Sequence, residues 1–436
     1  MSVINLSKYH DALNKANLIE YAGKVCKVVG LTIESCGPEV NIGEICRINA
    51  LRGNKKIAAE VVGFKENRVL LMPLGGMSGI GPGSRITATG EHLSIGVGEG
   101  LVGRVIDGMG IPIDGKGGIA ADFVYPVDNI PPLPLERKRI KDPLTLGIKT
   151  VDGLITVGKG QRIGIFAGSG VGKSTLIGMI ARNTRADINV IALIGERGRE
   201  VREFIEKDLK EEGLKRSVIV VATSDQPALI RLKGALLATS IAEYFRDQGR
   251  DVLLLMDSLT RFAMAQREIG LAIGEPPVSR GYTPSVFSVL PKLLERAGNS
   301  ESGSITGLYT VLVDGDDLTE PVTDTARGIL DGHIVLSREL ANRNQYPAID
   351  VLASVSRVMP DIVTNEHMSL ANEIKKIMAI YKDAEDLINI GAYIKGSNDK
   401  IDYAIERIDK IQSFIGQGTQ DKHTLAETLE RLKNIL

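Results

Sequence analysis

The chain reads as an α/β protein whose core is a mostly parallel sheet, with a small β-barrel ahead of it and a helical domain behind it. Three observations carry this reading. From about Asp142 to Met359, apolar runs at residues 190–194, 218–222, 252–256, 308–313 and 334–336 alternate with helical stretches. Continuous β-branched and Leu-rich runs of that kind suit strands covered on both faces. From Gly23 to about Leu93, short β-rich runs at 24–29, 43–48 and 68–72 are separated by the turn signals Cys36-Gly37-Pro38, Arg52-Gly53-Asn54 and Gly81-Pro82-Gly83. After Asn365 strand signals cease, and Ile374, Ile377, Met378 and Tyr381, then Ile401, Ala404, Ile405 and Ile408, recur at helical spacing.

The chain divides into five segments. Residues 1–22 carry Val3, Leu6, Tyr9, Leu13 and Ala16 on one stripe, which predicts a short helix. So short a helix is marginal alone, and it docks either on its own domain or on a partner. The barrel spans 23–93. Residues 94–141 are rich in Gly and Pro, cannot form long regular elements, and are read as a connecting segment. The α/β core spans 142–364 and the helical domain 365–436.

Composition narrows the function classes. Fifty-three basic residues balance 54 acidic ones, so no global field favours nucleic acid or an anionic membrane. Phe64 is the sole aromatic between Ala22 and Leu93. Barrels that grip single strands need stacking platforms, so this one is expected to join subunits rather than read RNA. Cys26, Cys36 and Cys46 read as small buried hydrophobes in a reducing compartment. The five histidines lack Cys or acidic partners at ligand spacing, which speaks against zinc. With no basic-then-apolar leader at Met1-Ser2-Val3 and no apolar run long enough to span a bilayer, a cytoplasmic protein without a transmembrane segment is expected.

The chemistry centres on Ala167-Gly168-Ser169-Gly170-Val171-Gly172-Lys173-Ser174-Thr175, set between a strand-like run and a helical one. Glycines let successive backbone N–H groups turn toward an anion, and the following helix N-terminus adds partial positive charge. This is the setting of a phosphate loop, with Lys173 for the outer phosphates and the Ser174 hydroxyl for Mg²⁺. Ala167 stands where the strict pattern has its first Gly. The run 252–256 ends in Asp257, a carboxylate able to hold Mg²⁺ through its water shell. Glu196 comes just after the run 190–194 and reaches the same sheet edge. Spacing alone leaves it either as the group that orients an attacking water or as a helix cap beside solvated Arg197 and Arg199.

The phosphate loop, Gly195-Glu196-Arg197-Gly198-Arg199-Glu200, Met256-Asp257-Ser258-Leu259-Thr260-Arg261, Arg280-Gly281-Tyr282-Thr283-Pro284, Asp316-Asp317-Leu318-Thr319 and Tyr346-Pro347-Ala348-Ile349-Asp350 occur in one order along the chain. Together they resemble the rotary ATP synthase catalytic subunit and its relatives. Ala167, Ala263-Met264-Ala265-Gln266-Arg267-Glu268, Leu293-Leu294-Glu295-Arg296-Ala297-Gly298 and Gly391-Ala392-Tyr393-Ile394-Lys395-Gly396-Ser397 resemble the type III protein-export branch, in its flagellar rather than its virulence-secretion form.

The resemblance implies a RecA-like fold and Mg²⁺-dependent ATP hydrolysis that energises protein export. It implies phosphate contacts from Gly168, Ser169, Gly170, Val171, Gly172, Lys173, Ser174 and Thr175, and Mg²⁺ held by Ser174 and Asp257. Glu196 matches the carboxylate that polarises water, and Arg197 and Arg261 match arginines near the γ-phosphate. Tyr346 matches the aromatic that stacks on adenine; Phe414 is either the opposite wall of that pocket or a core residue. Arg357 matches an arginine finger reaching into a neighbour's site, and a chain that carries both Glu196 and Arg357 suits a homohexamer. The implied partners are a regulator on the N-terminal helix, a coiled-coil stalk, export-gate membrane proteins, and export chaperones with their substrates, all at the cytoplasmic face of the inner membrane. The alternatives are a virulence-type secretion ATPase, a synthase catalytic subunit, an RNA translocase of the transcription-terminator kind, and a nucleotide-binding ring subunit without activity.

Overall fold

The computed structural model describes residues 21–52, 55–313, 317 and 319–436. The helix expected over 1–22 falls on residues outside these, and Ala22 opens a strand. The described residues form two compact units: one from those up to Leu93 with Ala272–Gly274, the other from the rest.

The first unit holds a closed barrel of β1 (Ala22–Val29), β2 (Thr32–Cys36), β3 (Glu44–Asn49), β4 (Lys56–Lys65), β5 (Arg68–Pro73) and β6 (Arg85–His92), in the order β1-β2-β5-β4-β3-β6. Strand alternation builds its core: Val25, Ile33, Cys46, Ile48 and Ile86 turn inward onto Val61, Val69 and Leu71. The turn between β4 and β5 is Glu66-Asn67, with φ of 46° and 63°, a tight hairpin made without the glycine that usually marks one. Of the cysteines only Cys46 is buried, because only it falls on an inward position; Cys26 is half-buried and Cys36 exposed. The expectation of three buried thiols is thereby corrected.

The second unit is built on a nine-stranded sheet. Ahead of it, β7 (Ser94–Val97) pairs with β9 (Phe123–Pro126), while β8 (Val105–Asp107) joins the sheet. The other strands are β10 (Arg162–Ala167), β11 (Ile188–Ile194), β12 (Ser217–Ala222), β13 (Asp251–Asp257), β14 (Gly298–Asn299), β15 (Ser304–Leu312), β16 (Gly332–Leu336) and β17 (Ile349–Ser356). Their order is β17-β16-β10-β15-β13-β11-β12-β8, with β14 beside β15. All main pairings are parallel except that of β17 with β16. The connecting segment thus does more than cross over, since β8 forms the far edge of the sheet.

The fully buried runs β11 and β12 and the helix Ala228–Asp247 packed on them account for the continuous apolar patterning. Arg296 ties the segment after β9 to this layer: it pairs with Glu243 at 2.8 Å and donates to Val127 O at 2.9 Å, with Arg296 and Glu243 both almost fully buried. Behind the sheet, the helices Asn365–Asn389, Asp399–Ile415 and Leu425–Lys433 bury Ala371, Ile374, Ile377, Ala404, Ile411 and Leu432 in one cluster with Val151 and Leu154.

Candidate active site

The strand order brings the carboxyl ends of β10, β15, β13 and β11 side by side, and there the sequence motifs meet. From β10 the chain turns through Gly168–Gly172 into the helix Lys173–Asn183, with Gly170 at φ 77° and Gly172 at φ 87°, both in the region glycine favours. Ala167 is instead a regular strand residue, in register with Leu312 and Leu336, so a side chain there meets no backbone demand for glycine. Thr175, Arg197, Glu200 and Arg261 join the loop in lining a cleft of about 620 Å³.

Charge is concentrated at its floor. Lys173 Nζ lies 2.5 Å from Asp257 Oδ1 and 3.7 Å from Glu196 Oε1. Thr310, on the strand between β10 and β13, donates to the same Asp257 oxygen at 2.7 Å. Burial works against the Lys173 ammonium, but Asp257 and Glu196 outweigh it and hold its pKa above the usual lysine value. Burial, then the Asp257 charge, pushes Glu196 up to about 7, while Lys173 pulls the other way. Glu196 also shares a hydrogen bond with Glu200, which sits below the usual carboxylate range despite its own burial cost.

Arg261 packs its aliphatic stem where a Cβ on Gly195 would fall, 2.8 Å from Arg261 Cβ, so only glycine fits there. Among the described residues its buried Nε has no hydrogen-bond partner, and Nη1 reaches Met264 Sδ at 3.8 Å. Arg197 stands at the cleft mouth, 76% exposed, against Glu200 at 3.3 Å. The Tyr346 ring lies beside the loop, with Cε1 3.4 Å from where a Cβ on Gly172 would be, and Tyr346 O accepts from Gln417 N at 2.9 Å.

Two sequence candidates lie elsewhere. Phe414 is 5% exposed; its edge meets Gly153, and Lys149 Nζ is 5.7 Å from its ring centre. Its place in the fold is that of a core residue supporting the stretch that carries Gln417, not that of a wall open to the cleft. Arg357 follows β17, whose antiparallel course puts Ser356 opposite Gly332, at the amino edge of the sheet and away from its own phosphate loop. It is exposed there. Glu200, Thr310 and Gln417 were not singled out by sequence reasoning. Only Glu200 left a signal, its four-residue spacing from Glu196 across a helix start.

The donor chemistry suits a metal-bound triphosphate. Ser174, Glu196, Glu200 and Asp257, with Leu193, Val201 and Phe204, border a cavity of about 20 Å³, room for about one water or a bare cation beside the Ser174 hydroxyl and the Asp257 carboxylate. The Arg261 guanidinium and the buried Lys173 ammonium face the same cleft, as phosphate oxygens require.

Residues 25–90 match the ATP synthase alpha/beta family, beta-barrel domain; residues 147–356 match its nucleotide-binding domain; and residues 363–434 match the T3SS EscN ATPase C-terminal domain. The flagellum-specific ATP synthase of Bacillus subtilis is 57% identical over 98% of this chain and 97% of its own length. The chain belongs to the type III export ATPases. A type 3 secretion system ATPase from Xanthomonas euvesicatoria is 52% identical over 95% of this export ATPase and 93% of its own length. The assembled ATPase EscN of enteropathogenic E. coli superposes with a TM-score of 0.89 at 48% identity, covering 95% of this chain and 99% of that one. These relatives match nearly end to end, which supports a type III export ATPase over the synthase and RNA-translocase alternatives. This export ATPase is accordingly an ATP hydrolase with a RecA-like core. No helix among its described residues is long and apolar enough to cross a membrane.

Proposed function

We propose that the protein hydrolyses Mg-ATP at sites shared between neighbouring copies of itself in a homohexamer and powers flagellar protein export. The observation that carries this reading is Glu196, a carboxylate held near pH 7 and 3.7 Å from the phosphate-loop lysine. A base poised near the working pH takes a proton effectively.

The backbone N–H groups of Gly168, Ser169, Gly170, Val171 and Gly172, with Thr175, cradle the phosphates. Lys173 exchanges its contact with Asp257 for the outer phosphate oxygens. Ionised Glu196 orients a water for in-line attack on the γ-phosphorus and receives its proton as the bond to the β–γ bridging oxygen breaks. Arg261 pairs its guanidinium with γ-phosphate oxygens, and Arg197 adds charge from the cleft mouth. Ser174 and Asp257 would hold Mg²⁺, which supplies neutralisation of phosphate charge. Tyr346 stacks on adenine, and Phe414 supports that pocket from the core. Arg357 lies at the far edge of its own sheet, so it serves the neighbour's site, where fingers of this kind contribute roughly 10³ to 10⁵ in rate.

EscN has been solved assembled and in complex with its central stalk EscO, which supports a homo-oligomer around a coiled-coil stalk here too. By the same reading the protein is cytoplasmic and docks at the inner-membrane export gate. There it receives chaperoned substrates and a regulator that holds the N-terminal helix. A virulence-secretion role is the second reading, favoured by the 52% identity to the Xanthomonas protein. Deletion in the source organism separates the two: lost swimming with intact virulence secretion supports the flagellar role, and the reverse overturns it. The shared site is tested by mixing inactive Lys173→Ala with inactive Arg357→Ala protomers. Turnover returns at mixed seams if the finger acts in trans, and stays absent if it does not.

A further inference from the structure

Gln161 is wholly buried at the amino end of β10, and its amide is used on both sides. Its Oε1 accepts from Gly158 N at 2.8 Å. Its Nε2 donates to Asp331 O and to Ser356 Oγ, each at 3.0 Å. Asp331 O also accepts from Arg357 N at 3.0 Å, so one carbonyl receives both the Gln161 amide and the backbone of the finger residue. The Asp331 carboxylate is fixed in turn by Arg162 Nε and Nη2 at 3.1 and 3.2 Å. At the other end of the same strand, about 20 Å away by strand rise, Ala167 leads into the phosphate loop.

We propose that Gln161 is a positioning residue for the reaction in the adjoining site: by clamping Ser356 and Asp331 to the start of β10, it fixes the backbone from which Arg357 is presented. This rests on Arg357 acting in trans. A buried amide with its acceptor and both donors engaged is satisfied and specific; replacing it leaves Gly158 N and Ser356 Oγ without a partner and the finger's base loose. Nothing about Gln161 touches its own protomer's phosphates, so the defect from its loss belongs to the neighbour's turnover and not to nucleotide binding.

The test uses full-length protein in assembled rings. Gln161→Leu is expected to lower kcat by up to about 100-fold, with affinity for a fluorescent ATP analogue within twofold of the parent. Mixed with Lys173→Ala protomers, which retain a sound finger, it regains turnover; mixed with Arg357→Ala protomers it does not. Should Gln161→Leu fail to fold, Ser356→Ala removes the other end of the clamp and is judged by the same pairing rule at a smaller effect. An unchanged kcat in both variants overturns the proposal. So does recovery with Arg357→Ala, which would put the fault in the variant's own loop, and so does recovery with neither partner. The control mixture of Lys173→Ala with Arg357→Ala separates the failures: if it regains activity while Gln161→Leu obeys no pairing rule, Gln161 alone is misassigned, and if it stays inactive the trans finger falls and this inference with it.

Discussion

Lys173 and Glu196 face each other at 3.7 Å, with Asp257 closer still to the ammonium at 2.5 Å, so one cation is shared by two carboxylates. That arrangement suits a lysine that must leave its partners when phosphates arrive, and a glutamate whose charge is only partly compensated before they do.

Glu196→Gln keeps the shape of the side chain but cannot accept the water's proton. Hydrolysis is expected to fall about 10²- to 10⁴-fold while ATP binding persists. Phosphate release measured beside nucleotide titration checks this, and a parental rate in the variant ends the assignment of Glu196 as base.

The pH dependence comes from the same group. With its carboxyl raised to about 7, kcat/KM should climb with pH through about 7 and level off above it. Stability runs the other way. The folded state holds a proton that the unfolded chain releases near the ordinary glutamate value of 4.5, so this group's contribution is full below that pH and lost as pH rises to about 7. Thermal melts at pH 5 and pH 8 should show Glu196→Gln gaining on the parent far more at the higher pH, by about 1–3 kcal/mol.

Arg261 carries a buried Nε without a hydrogen-bond partner among the described residues. Replacing it by Met, similar in length and uncharged, removes that cost, and the melting point should rise by an amount equivalent to about 1–2 kcal/mol. Turnover should drop at the same time. A melt that falls instead would show that the surroundings of Arg261 already compensate its burial.

Glu243 compensates Arg296 in a pair that is almost wholly buried. Glu243→Gln leaves the guanidinium without its counter-charge and should cost about 3–5 kcal/mol, measured by denaturant unfolding. Exchange of the amide hydrogens of Val127, Asp128 and Asn129 should quicken as well, since Arg296 also holds Val127 O.

Much of this was readable in the chain. Asp257, Glu196 and Lys173 each come after an apolar run dense enough to declare a buried parallel strand, and such strands deliver the residues at their carboxyl ends to one edge. β17 escaped notice because Asp350 and Ser354 interrupt its apolar pattern, as an antiparallel edge strand allows. β8 escaped because three residues carry no period. Thr310 on Asp257 could not be anticipated, since the contact spans neighbouring strands more than 50 positions apart. Phe414 shows the converse: a motif-like position whose burial is decided by Gly153 and the last helix, about which local sequence is silent.

The backward course of β17 has a consequence for economy in the cell. On the proposed mechanism, a solitary copy holds fuel at one rim and its only igniter at the opposite rim, too distant to meet. ATP would then be consumed only where copies stand shoulder to shoulder, and the closing of the ring would itself be the ignition.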